Sequence, residues 1–151
     1  MAGNHKIALA SDHRGFKLKE VLARFLKAKR NPVTDFGTHS EEPCDYPDFI
    51  LKAAEAVGKG RAERAIAVCH SGIGSAIAAN KVKGVRAALV QNVEQAKLSR
   101  AHNDSNMLVL GSGFVTKTAA KKIVAAWLKT KFEGGRHLRR IKKIASYEQK
   151  R

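Results

Sequence analysis

Cys69, His70 and Ser71 close the apolar run 65–69 (AIAVC) and lead directly into Gly72-Ile73-Gly74-Ser75. Two glycines at a strand-to-helix turn let the backbone approach an anion. The helix start adds unpaired N–H groups and the positive end of its dipole. A helix start also favours thiolate over thiol. A thiolate facing a small pocket can take a proton from carbon, while neighbouring amides stabilise the developing enediolate oxygen. Taken alone the signal is weak, since a cysteine ending an apolar strand is more often a buried structural residue. It is neither a dinucleotide fingerprint nor a P-loop. No third glycine completes G-x-G-x-x-G, no acid ends the next strand, and no Gly-Lys-Ser/Thr follows.

Three further segments offer polar chemistry. Asp12-His13 follows the run 6–11 (KIALAS), where the aspartate could serve only as a helix cap. His102-Asn103-Asp104 precedes the run 107–110 (MLVL) and could be a surface group near a helix C-terminus. Gly134-Gly135-Arg136-His137 opens a basic segment, and Arg136 and Arg140, four apart, share one helix face. Paired guanidinium groups suit a phosphate. Several reactive segments at the ends of apolar runs read as one site.

The elements that must position these groups alternate regularly. Strands are predicted at 6–11, 33–36, 65–69, 85–90 and 107–110. Leu18, Val21, Leu22, Phe25 and Leu26 form one helix stripe, and Pro47 opens a second helix whose apolar face is Ile50, Ala53, Ala54 and Val57. Further helices are expected over 72–81, 93–101, 116–131 and 136–147. Five strands alternating with helices imply a mainly parallel sheet covered on both sides. The last helix lies beyond the final βα unit, free to pack on a partner subunit rather than on its own sheet.

The motifs SDHRGF (11–16), DYPD (45–48), CHSGIGSAIAANK (69–81), SRAHNDSNMLVLG (99–111) and FEGGRH (132–137) resemble the type B ribose-5-phosphate isomerases. Their relatives include the galactose-6-phosphate isomerase subunits and allose-6-phosphate isomerase. The resemblance spans roughly 6–145. It implies an α/β fold, a Rossmann-like three-layer αβα sandwich with a five-stranded parallel sheet and an extra C-terminal helix. It also implies a homodimer or dimer of dimers with active sites shared between chains, and no metal or organic cofactor. Carried over, Cys69 is the base acting through a cis-enediolate, and Ser71 stands where the family usually has threonine. The amides of Gly72, Ile73, Gly74 and Ser75, with the Asn103 side chain, hold the oxyanion. His102, with Asp12 across the interface, opens the sugar ring. His13, Arg136, His137 and Arg140 hold the phosphate, and Tyr46 lines the sugar pocket. Two positions depart from the pattern. His70 replaces a glycine inside the anion loop, and Gly113 stands where many relatives carry arginine.

Composition bounds the rest. A chain of 151 residues fits a single domain, 1–151. The start shows no signal-peptide pattern, and no run approaches the length of a membrane helix. Two cysteines without ligand spacing argue for a reducing, cytoplasmic setting. The net charge of +16 is concentrated late, with twelve Lys/Arg against Glu133 and Glu148 over 117–151. Such a balance favours anionic partners. Nucleic-acid binding as the main function is disfavoured, because only 6% of residues are aromatic and no recognition motif is present. A sugar phosphate fits the same charge.

Overall fold

A computed structural model describes residues 4–151. Five strands, β1 (Ile7–Ser11), β2 (Val33–Asp35), β3 (Arg64–Cys69), β4 (Ala87–Leu89) and β5 (Met107–Gly111), form one parallel sheet in the order β2-β1-β3-β5-β4. Six helices accompany them: α1 (Phe16–Ala28), α2 (Tyr46–Gly58), α3 (Ile73–Ala79), α4 (Val93–Asn103), α5 (Lys117–Lys129) and α6 (Arg136–Glu148). The three-layer α/β sandwich expected from the sequence is what forms.

Alternation along the strands builds two unequal cores. Ile7 and Leu9, Ile66 and Val68, and Leu108 and Leu110 face α1, α4 and α5, where Trp127 is fully buried. Ala8 and Ala10, Ala65 and Ala67, and Met107 and Val109 face α2 and α3. Alanines on that face let the two helices lie close to the sheet. Lys19 of α1 is completely buried and pairs with Asp35 at the end of β2, tying the edge strand to the first layer.

The edges depart from the predicted boundaries. β4 pairs over only three residues, Ala87 to Leu89, instead of the full run 85–90. Its free edge is met by Asn80, whose Nδ2 donates to Ala87 O and whose Oδ1 accepts from Ala87 N. That side chain also bonds Ala76 O, and α3 stops before it. α6 packs on α4 of its own chain and buries His137 and Ile141, while its Glu148 accepts from Gly84 N. Leu138, Ile144 and Tyr147 stay exposed on it.

Strand order reverses between β1 and β3, since β2 lies to one side and β5 and β4 to the other. Such a switch point opens a crevice at the carboxyl ends of the two strands. Ser11 pairs with Val68 there, so the residues after each strand meet.

Candidate active site

The crevice floor is knitted from three loops. Gly15 sits so close to β3 that a Cβ on it would lie 2.2 Å from Val68 O. Asp12 is buried, and its Oδ1 accepts from Gly15 N at 2.9 Å. It closes the turn before α1, whose cap is Gly15 itself. Ser112 N donates to Cys69 O at 2.8 Å, so the β5–α5 loop is fixed against the end of β3.

Cys69 is buried, and its Sγ accepts the N–H of Gly72 at 3.2 Å. Gly72 holds φ +80°, and a Cβ there would lie 2.4 Å from Leu89 Cδ1. Only glycine makes this turn, and the turn aims the amides that follow. A Cβ on Gly74 would lie 2.5 Å from Tyr46 Cζ, so the phenol at the start of α2 lies directly on the loop. Ser71 Oγ accepts from Ile73 N at 3.2 Å. Ser75 is buried in the first turn of α3. His13 Nδ1 accepts the backbone N–H of Cys44 at 3.2 Å. That bond places the proton on Nε2, leaving a donor for an anion.

His70 does not join the amide loop with its side chain. Its ring turns toward the β5–α5 loop, over Gly113 and beside Phe114.

The remaining residues form a second group at the other end of the sheet. His102 and Asn103 end α4, which leads into the first residue of β5. Arg136, His137 and Arg140 start α6, and Glu133 N donates to Ala101 O. The imidazoles of His102 and His137 stack, 4.2 Å between centroids and 10° between planes. Glu133 Oε2 lies 3.5 Å from His137 Nε2 and 3.9 Å from His102 Nε2. These atoms are close enough together to suggest a cation site. A metal held by imidazole lies in the ring plane, however, and two near-parallel stacked rings share no such point. The trio suits proton sharing instead. Burial first, then His102 and Arg136, holds His137 below its ordinary value of 6.5. Arg64 beneath this end is lowered to about 10, chiefly by burial, and lies 5.1 Å from the Trp127 ring.

One expectation is therefore corrected. The reactive segments do not form a single site within one chain. Cys69 ends β3 beside Gly111, whereas His102 and Asn103 precede Met107. The four residue steps of β5 separate the two ends by about 13 Å. Asn103 accordingly does not reach the amides of 72–75 in its own chain; its carbonyl accepts from Arg86 Nε. The helical βα crossover carries α4 back to the amino edge, so order along the sequence did not translate into one crevice.

The sequence reading also missed Glu133, which takes meaning only from two histidines brought to it by different helices. Nor does the sequence reveal the contact of Cys44, whose amide rather than its thiol donates to His13 Nδ1.

A model of the Ribose/Galactose Isomerase family matches residues 7–144. The chain is 44% identical over 146 residues to ribose-5-phosphate isomerase B of Escherichia coli (strain K12), covering 97% of this chain and 98% of that relative. Among solved structures, ribose-5-phosphate isomerase B of Clostridium thermocellum superposes with a TM-score of 0.95 at 51% identity, over 96% of this chain and 98% of that one. The Mycoplasma genitalium enzyme with bound ribulose-5-phosphate gives a TM-score of 0.93 at 45% identity, over 97% of each chain.

Proposed function

The chain belongs to the Ribose/Galactose Isomerase family, and from that premise we propose that it interconverts D-ribose 5-phosphate and D-ribulose 5-phosphate. The observation that carries this reading is the Cys69 sulfur, hydrogen-bonded by Gly72 N at the mouth of a glycine turn lying under Tyr46. An aldose–ketose isomerase needs a base, an oxyanion site and an anchor for the phosphate.

In the reaction we assign, the Cys69 thiolate takes the proton from C2 of the open-chain aldose. The C2–H electron pair becomes the C1–C2 double bond, and the carbonyl pair moves onto O1, giving a cis-enediolate. The amides following Gly72 stabilise that charge, as backbone donors do in other oxyanion holes. Ser71 shuttles the proton from O2 to O1. The cysteine then returns its proton to C1, and the ketone forms at C2. The His13 Nε2 donor and the guanidinium groups of Arg136 and Arg140 would hold the phosphate, with His137 between them.

Because His102, Asn103 and the arginines lie at the far end of the sheet, completing the site requires the amino end of a second copy. A homodimer, alone or paired into a dimer of dimers, with shared sites accounts for this. It also accounts for Ile73 and Ile77 on α3 and Leu138, Ile144 and Tyr147 on α6, which a lone chain leaves exposed. Within that assembly Asp12 and His102 would open the furanose ring together. The reading needs no metal or organic cofactor. Two unpaired thiols suit a cytoplasmic setting, and among the described residues no helix is long and apolar enough to cross a membrane.

The test is an equilibrium assay of the purified chain with ribose 5-phosphate, beside allose 6-phosphate and unphosphorylated ribose. Appearance of ribulose 5-phosphate, with ribose inert, is expected. Turnover of allose 6-phosphate alone would keep the chemistry and change the substrate. No turnover of any of them would overturn the reading.

A further inference from the structure

His70 and Gly113, the two positions at which the sequence departs from the pattern it resembles, are in contact. A Cβ built on Gly113 would lie 2.4 Å from His70 Cε1, 2.8 Å from Nδ1 and 3.0 Å from Nε2. The imidazole edge therefore occupies the space that any side chain at 113 would enter. Phe114 packs beside it, 6.0 Å between centroids with the planes at 59°. The backbone beneath is locked: Gly113 N donates to His70 O at 3.0 Å, and Ser112 Oγ donates to Arg14 O at 2.9 Å. The ring thus stands on a fixed ledge one residue from Cys69.

On the other side of Cys69 lies Tyr46, resting on Gly74 at the α2–α3 layer. The β5–α5 loop belongs to the opposite layer. The phenol, through Gly74, and the imidazole, through Gly113, thus stand on segments that both adjoin the turn after Cys69. The imidazole is backed by the bare backbone of Gly113.

We propose that His70, seated on Gly113, is a specificity-determining residue that limits the length of sugar phosphate the crevice admits, favouring five-carbon over six-carbon chains. The proposal rests on the isomerase reading above. It makes the missing side chain at 113 part of the device, because a methyl group there would displace the ring. The clash falls on the far end of a flexible side chain, so Gly113→Ala should move His70 and leave the fold intact.

The experiment is a double-mutant cycle with His70→Gly, Gly113→Ala and the pair, measuring kcat and KM for ribose 5-phosphate and allose 6-phosphate. In His70→Gly, the ratio of kcat/KM for allose 6-phosphate to that for ribose 5-phosphate is expected to rise about tenfold, the scale on which pockets sort substrates by one carbon. The change should lie mainly in KM. Gly113→Ala should shift the same ratio in the parent and not in the His70→Gly background, which a generally loosened structure would not reproduce. An unchanged ratio in both single variants would overturn the proposal. If His70→Gly fails to fold, the ratio in Gly113→Ala alone decides. A parent chain that turns over no ribose 5-phosphate overturns the isomerase reading itself, and the inference falls with it.

Discussion

At the scale of single residues, the proposed chemistry rests on a sulfur fixed by one backbone donor. Cys69→Ala removes the proposed base but leaves the amide loop, Tyr46 and His13 in place. Turnover should fall by about 10²–10⁴-fold, the usual contribution of a positioned base, while calorimetry still detects sugar phosphate binding. Near-normal turnover in that variant would take the role from Cys69. His137 makes a second prediction, one of pH. Burial, the neighbouring His102 and Arg136 hold it below 6.5, so on acidification the unfolded chain takes up this proton before the folded one. Stability from this group is present above 6.5 and is lost as pH falls below that value toward the folded-state pKa. Thermal melts from about pH 8 to about pH 5 should show the loss, and His137→Gln should flatten it. The placement of Cys69, Asp12 and the glycines at strand ends was legible because it follows from neighbours in sequence. Glu133 was not legible, since the histidines it faces come from different helices. Nor was the contact of His70 with Gly113, which exists only because β3 and β5 are adjacent.

At the scale of elements, the sequence announced every strand and helix, because apolar runs and helical stripes reflect which faces are buried. Two things escaped it. The insertion of β5 between β3 and β4 depends on the handedness and layer of each crossover, which no local pattern records. The shortening of β4 follows from its place at the edge, where Asn80 replaces a neighbouring strand. The turn into α3 is the element on which function leans hardest. Gly72→Ala must force a side chain into φ +80° and against Leu89. We expect a loss of about 1–3 kcal/mol in stability, typical of left-handed strain in a residue with a side chain, read from denaturant unfolding. Turnover should drop more than the melting temperature suggests, since the same turn aims the amides proposed to hold the oxyanion. A variant destabilised by that amount with unaltered kcat would separate the turn from catalysis.

At the scale of the whole molecule, the division of the reactive residues between two ends of one sheet is the dominant fact. One chain carries Cys69 with its amide loop at the carboxyl edge, and a histidine pair with two arginines at the amino edge. The proposed reaction would draw on both halves, as the family resemblance implied, although residue order alone says nothing about which edge a residue reaches. Joined copies would place the amino edge of one against the carboxyl edge of the other, and a two-fold axis would create two sites at once. This gives a test that no single-chain mechanism can pass. Cys69→Ala and His102→Asn are each expected to be inactive alone. After mixing, denaturation and refolding together, half of the dimers should be hybrids. In each hybrid one site inherits both lesions, while the other combines an intact Cys69 with an intact His102. Activity should therefore return to roughly a quarter of that of the unmodified protein, as random pairing in a two-fold dimer requires. If both residues served one site within a single chain, every site in the mixture would carry a lesion and no activity would return.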